Sequence, residues 1–202
     1  MSSRRKTEAR CKICLLRLEK CICAEIADAR QLIQSKTPIR IIMHYKEARL
    51  PTNTGRLAKE LMQDCEIWLR GAEDDTRNWE ESVSSLENPI YLYPSEKAEI
   101  LNAAFLETLS GPPTLLLPDG NWKQASKVHK RIPAVANIKH VTLPEGAPTE
   151  YKLRHEPKLG GLATFEAIIR ALEVIEGPNA SLTLQKIFRL MVERTLESRR
   201  GY

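Results

Sequence analysis

The chain has 202 residues, 42% hydrophobic and 28% charged. That balance excludes an intrinsically disordered chain and suffices for one domain with a real core and a small appendage. No apolar run reaches the ~20 residues of a membrane span. The basic start, residues 1–6, is followed by no apolar stretch. No secretory leader is therefore expected, and a cytoplasmic location is. The formal net charge of +5 points to an anionic partner or simply to a solvated basic surface.

In chain order, residues 1–9 are polar and charged and are expected to be disordered. Residues 10–24 carry Cys11, Cys14, Cys21 and Cys23 in the spacing C-x2-C-x6-C-x-C. In a reducing compartment this set either surrounds one tetrahedral zinc or consists of two reactive or incidental pairs. Arg17 and Lys20 stand between the pairs and would offset the charge of four thiolates. Cys65 precedes an apolar stretch and reads as a small buried hydrophobe. The division expected is a zinc module over residues 1–30 and an α/β domain over 31–202.

Residues 39–44 read as a strand, and Thr52 or Asn53 opens a helix to about Gln63. Residues 67–69 form a short strand, 71–88 a surface excursion and 90–93 another strand. Pro94-Ser95-Glu96 predicts a helix capped by Ser95 and running to about Leu109, ended by Gly111-Pro112-Pro113. The run Thr114-Leu115-Leu116-Leu117 is a strand that stops at Pro118 and Asp119. Asn121 and Gln124 then have capping-box spacing. A strand over 139–143, a Pro/Gly-containing segment over 144–162, a mostly buried helix over 165–175 and a last helix over 184–198 complete the chain. Its polar stripe on the buried helix is Glu166, Arg170 and Glu173. Alternating strands and helices predict an α/β fold, a mostly parallel sheet with helices on both faces. There is no GxGxxG and no Walker sequence.

Asp119 is placed where open α/β sheets bind ligands, between a strand's C-terminal end and a helix N-terminus. After it, Trp122, Ala125, Val128 and Ile132 recur at helical spacing and should be buried. Lys123, Lys127, Lys130 and Arg131 fall elsewhere, as an RNA-phosphate stripe or as cations that complement a helix end. A second set, His44, Lys46, Arg49 and Asn53, follows the first strand and suits RNA backbone or base edges; His44 fits a structural role equally. Thr164 is expected to cap the buried helix, and Arg154 to pair with an anion.

Five segments in this order resemble the DTW-domain family of tRNA-uridine aminocarboxypropyltransferases. They are the four cysteines; His44-x-x-Glu47 with Asn53-Thr54; Tyr93-Pro94-Ser95-Glu96; Asp119-Gly120-Asn121-Trp122 with Gln124-Ala125; and Tyr151-x-Leu153-Arg154 with Thr164-x-Glu166-Ala167. The resemblance implies a SPOUT-like fold with a trefoil-knotted cofactor site, S-adenosylmethionine as donor and tRNA as acceptor. It implies transfer of the 3-amino-3-carboxypropyl group to uridine N3, with release of methylthioadenosine. No obligate protein partner is implied.

By the same resemblance Asp119 is the base that takes the N3 proton. Tyr93, Pro94, Ser95, Leu117, Pro118 and Gly120 line the donor site. Trp122, Leu143, Tyr151, Leu153, Arg154 and Thr164 complete that lining. Trp122 packs under the cofactor or the turn, and core packing explains it as well. The cysteine zinc is structural, because four thiolates leave no open position. The family usually has Thr where this chain has Asn121. If that residue only caps the helix the change is mild; if its hydroxyl touches substrate, activity or substrate choice is altered. The rival readings are an RNA methyltransferase of the same broad fold and a non-catalytic zinc-containing RNA-binding protein.

Overall fold

The computed structural model describes residues 9–73, 75–153 and 161–200. Its centre is one sheet of six strands: β1 (Ile39–His44), β2 (Cys65–Arg70), β3 (Pro89–Leu92), β4 (Glu99–Ile100), β5 (Thr114–Asp119) and β6 (Lys139–Thr142). Their order is β2-β1-β5-β3-β6-β4, and every neighbouring pair is parallel. The expected parallel α/β architecture is borne out. A parallel sheet must be covered on both faces, and two apolar clusters do this. Ile39, Ile41, Met43, Leu115 and Leu117 point into the larger one, and Ile42, Trp68, Tyr91 and Leu116 into the smaller.

The larger cluster is closed by α1 (Cys23–Leu32), α2 (Gly55–Leu61), α4 (Ala103–Glu107), α8 (Thr164–Glu176) and α9 (Pro178–Arg200). The smaller is closed by α3 (Trp79–Ser84), α6 (Val128–Arg131) and α7 (Pro133–Ala136), with α5 (Trp122–Ala125) leading into them. Phe165, Ile168, Ile169 and Leu172 of α8 are all buried. Each such side chain contributes roughly 1.5–3 kcal/mol.

Several local expectations are corrected. Residues 95–109 are not one helix. The Ser95 hydroxyl is 2.7 Å from His140 Nδ1 rather than on a helix N-terminus. Strand β4 follows, and α4 is capped by Asn102, whose side chain accepts from Phe105 N. The excursion at 71–88 contains α3, capped by Asn78. Asn121 does form the expected capping box with Gln124. The helix it opens is interrupted, however, into α5, α6 and α7, and Pro133 enforces the last break by lacking an N–H. Glu166 is buried instead of lining a solvent stripe. The final helix begins at Pro178 rather than at residue 184.

Candidate active site

Alternation along β5 determines where Asp119 points. It shares the parity of Leu115 and Leu117, so its carboxylate is delivered to the side of α2 and α8. There it is only 7% exposed. Asn53 Nδ2 donates to Oδ2 at 2.6 Å, and Thr164 Oγ1 donates to Oδ1 at 2.7 Å. The Asn53 oxygen in turn accepts from Arg56 N in the first turn of α2, at 3.2 Å. Thr54 Oγ1 accepts from Phe165 N in the first turn of α8, also at 3.2 Å. The beginnings of two helices are thus stitched to each other and to the end of the central strand.

Thr164 was expected to cap α8. The N-cap position is Ala163, and the threonine hydroxyl serves Asp119 instead. Asn53, expected at an RNA-facing surface, is buried.

Gly55 makes this close approach possible. A Cβ on it would lie 2.6 Å from Asp119 Oδ2 and 3.4 Å from Met43 Cε. Gly55→Ala is therefore expected to push the carboxylate off its donors and to destabilise the fold by about 1–3 kcal/mol, the usual range for overpacking. A urea unfolding midpoint equal to that of the parent chain would show that the turn yields freely.

The segment after β6 closes over this corner. Tyr151 OH donates to Thr52 O at 2.6 Å. Glu166 accepts from Thr149 Oγ1 at 2.5 Å and from Glu150 N at 2.8 Å. Glu150 is itself held below the usual carboxylate range by its hydrogen bond from Arg189. Glu166 is the structural residue that the sequence reading misjudged. Its signal was its position three residues after Ala163, from whose N–H it accepts at 3.4 Å. Leu153 is buried and its carbonyl accepts from Arg199. Arg154 lies outside the described residues. Leu117 is 2% exposed within the sheet, and Leu143 packs on the edge of the core.

The opposite side of the same sheet edge is aromatic. Tyr93 lies 6.2 Å from Trp122 and 5.3 Å from His129, centroid to centroid, and Tyr91 lies 4.9 Å from His140. The 3.0 Å contact of His140 Nε2 with the Val135 carbonyl makes that nitrogen the donor, so in the neutral ring Nδ1 accepts from Ser95. Arg70 ties β2 to α5 through the Gln124 carbonyl at 2.7 Å. Pro118 and Gly120 are half-buried at the turn, and Pro94 is exposed.

His44, His129 and His140 are all held below their ordinary value of 6.5, first by burial. Each then takes up a proton more readily in the unfolded chain than in the folded one. Their stabilising contribution is complete above about pH 6.5 and is lost as pH falls below it. Urea midpoints measured from pH 8 down to pH 5 should decline, and more gently for His140→Gln. An unchanged slope in that variant would remove His140 from the titrating set.

Lys46, Arg49, Lys123, Lys130 and Arg131 are exposed, Lys127 is half-buried, and His44 stacks on Tyr45 at 4.9 Å. The two predicted cationic sets therefore both emerge near the C-terminal ends of β1 and β5, around the edge that holds Asp119.

The four cysteines converge as well. Cys11 and Cys23 Sγ are 3.5 Å apart, Cys14 and Cys21 Sγ are 3.7 Å apart, and all four sulfurs lie within 4.8 Å of one another. This group could hold a metal ion. Burial pushes the Cys11 thiol up, but the backbone donors of Cys14 and Ile13 outweigh it and bring it down to about 6. Burial raises Cys14 and Cys23. Lys20 is paired with Glu197 at 2.6 Å, so its charge goes to α9. Cys65 is buried, as expected.

Residues 8–196 match the model of the DTW domain. The chain belongs to the DTW-domain family. Among its relatives is tRNA-uridine aminocarboxypropyltransferase 2 of Drosophila melanogaster, 25% identical over 94% of this chain and 76% of that protein. The proteins of the same name from Macaca fascicularis and Mus musculus are 26% and 28% identical over 86% and 84% of the chain. The chain spans less than three-fifths of those two relatives, 59% and 57%. Among solved structures, the SAM-dependent rRNA:acp-transferase Tsr3 from Vulcanisaeta distributa shares the fold with a TM-score of 0.52. It is 17% identical, over 81% of this chain and 79% of that one. Among the described residues, no helix is long and apolar enough to cross a membrane.

Proposed function

We propose that this DTW-domain chain transfers the 3-amino-3-carboxypropyl group of S-adenosylmethionine to N3 of a tRNA uridine, releasing methylthioadenosine. The observation that carries the reading is Asp119, buried at the end of the central strand and gripped by Asn53 and Thr164. RNA binding alone gives no reason to bury a carboxylate there. The names of the relatives support the reaction class.

In this reading Asp119 takes the N3 proton. The freed nitrogen pair forms the N–C bond at the methylene of the amino acid arm. The S–C bond breaks with its electrons returning to sulfur, which leaves as a neutral thioether. Asn53 and Thr164 hold the carboxylate aimed. The remaining demand is positioning, since the arm rather than the methyl group must face the nucleophile. Tyr93, Ser95, Gly120, Trp122 and Thr164 would share that positioning. Leu143, Tyr151 and Leu153 would complete the donor site, in the knotted arrangement that the family resemblance implies. Lys46, Arg49, Lys123, Lys127, Lys130 and Arg131 would hold RNA phosphates. The four cysteines would hold a structural zinc. Zn–S bonds of ~2.3 Å in a tetrahedron place sulfurs about 3.8 Å apart, close to the spacing of the two pairs.

Incubation with unmodified tRNA and S-adenosylmethionine, followed by mass spectrometry of nucleosides and small molecules, tests the reading. Aminocarboxypropyluridine and methylthioadenosine are expected. Methylated nucleoside with S-adenosylhomocysteine would replace it with methyl transfer. Salt-dependent binding without turnover would replace it with RNA binding alone.

A further inference from the structure

The four-cysteine module and Asp119 are joined by one side chain that the mechanism above does not use. Arg56 is the second residue of α2. Its guanidinium donates to the carbonyls of Ile13 at 2.7 Å and Lys12 at 3.4 Å, and to that of Ala48 at 3.1 Å. Ile13 and Lys12 are the two residues between Cys11 and Cys14, and the Ile13 N–H points to Cys11 Sγ at 3.4 Å. On its other side, Arg56 N donates to Asn53 Oδ1, and Asn53 Nδ2 donates to Asp119 Oδ2. Ile13 and Cys14 also line the same small cleft as Asn53, Arg56 and Leu57. The metal knuckle, the first turn of α2 and the carboxylate are thus consecutive links in one hydrogen-bonded chain.

We infer that Arg56 is a positioning residue through which the metal-bound cysteine knuckle sets the rotation of α2 and the aim of Asn53 at Asp119. A bound metal fixes the Cys11–Cys14 turn and hence the two carbonyls that grip the guanidinium. Arginine suits the task because its planar fork reaches separate carbonyls at once; a lysine ammonium is a point donor on a flexible stem. The Asn53 amide cannot compensate by flipping, since one end must accept from Arg56 N and the other must donate to the carboxylate. By reciprocity, loosening Arg56 must also loosen the metal. Its consequence for turnover rests on the proposed reaction; its structural half does not.

The test follows the side-chain amide signals of Asn53 in 15N-labelled, metal-loaded protein, assigned by their absence in Asn53→Ala. Arg56→Ala and Arg56→Lys are both expected to retain the fold and to shift those signals, with Lys shifting them less. In the parent chain, chelation should shift them in the same direction; in Arg56→Ala, chelation should add little. Metal should leave Arg56→Ala roughly 10–100-fold faster, the usual range for loss of an outer-shell partner. In transfer assays kcat should fall while KM for S-adenosylmethionine and for tRNA stays within about twofold, since positioning and not binding is lost. Asn53 signals at the parental position in metal-loaded Arg56→Ala would overturn the inference. So would shifts from chelation and from Arg56→Ala that simply add. If the parent chain transfers nothing to tRNA, the proposed reaction fails, and the amide signals still decide the role of Arg56.

Discussion

Asp119→Ala is expected to reduce aminocarboxypropyl transfer by at least 100-fold, within the range of a lost general base, while affinity for S-adenosylmethionine stays within a few-fold. The same change strands two donors, the buried Asn53 Nδ2 and the half-buried Thr164 Oγ1. Each costs about 1–3 kcal/mol when left unpaired, so the variant should also melt lower. The two effects need separating. Asp119→Asn is the informative partner, because it keeps the volume and an acceptor for Thr164 but turns an NH2 group toward that of Asn53. Thr164→Val removes one donor and leaves the carboxylate. If Asp119 is the base, Thr164→Val retains far more transfer than Asp119→Asn at equal loss of stability. Retained transfer in Asp119→Ala, measured as product nucleoside, would take the base role away from it.

The cysteines carry the second large effect. Metal analysis of the purified chain should give about one zinc per chain. Cys14→Ser or Cys21→Ser should lose it, together with the order of residues 10–24. Apparent zinc affinities of ~10–16 kcal/mol in isolated finger peptides show how much of a small module's folding the metal can supply. Here the loss spreads beyond the module. Leu16 and Ile22 lie in the main core, and Lys20 is paired with Glu197 of α9. Differential scanning calorimetry should therefore show a lower transition for the whole chain, not only a lost shoulder. A fully folded, metal-free preparation with unchanged melting would end the zinc reading.

What could be read in the residues, and what could not, follows from the range of the interactions. The β1 and β5 runs, the α8 burial pattern and the Asn121–Gln124 box are local patterns of period or spacing, and each was legible. Ser95 shows the limit. Its proline and glutamate neighbours make a helix start locally credible, but its hydroxyl finds His140, 45 residues on. Thr164 is similar: a good cap by type, it sits one position inside α8 and reaches back to Asp119. The helix α3 was missed because it is too short for a period to show, although Asn78 and Glu81 have capping spacing and do pair. For the candidate site, the position of Asp119 at a strand end was legible from the apolar run before it. Its partners were not, because nothing in the chain before the fold forms says that Asn53 and Thr164 meet.

The strand order carries a consequence for biosynthesis. β1 lies between β2 and β5, and β3 lies between β5 and β6. While the ribosome has delivered only as far as β3, β1 has its first partner, but its other edge waits for a strand about 75 residues further on, a separation that slows closure. β3 has no partner of its own yet. β5 must then enter as a wedge between two strands already made, and it carries Asp119 at its tip. The nascent chain thus exposes open, apolar strand edges through most of its synthesis, the state most prone to pairing with other chains. Its need for chaperone protection should fall as residue 119 clears the exit tunnel and end only after β6 has paired with β3 and α8 and α9 have covered the larger core.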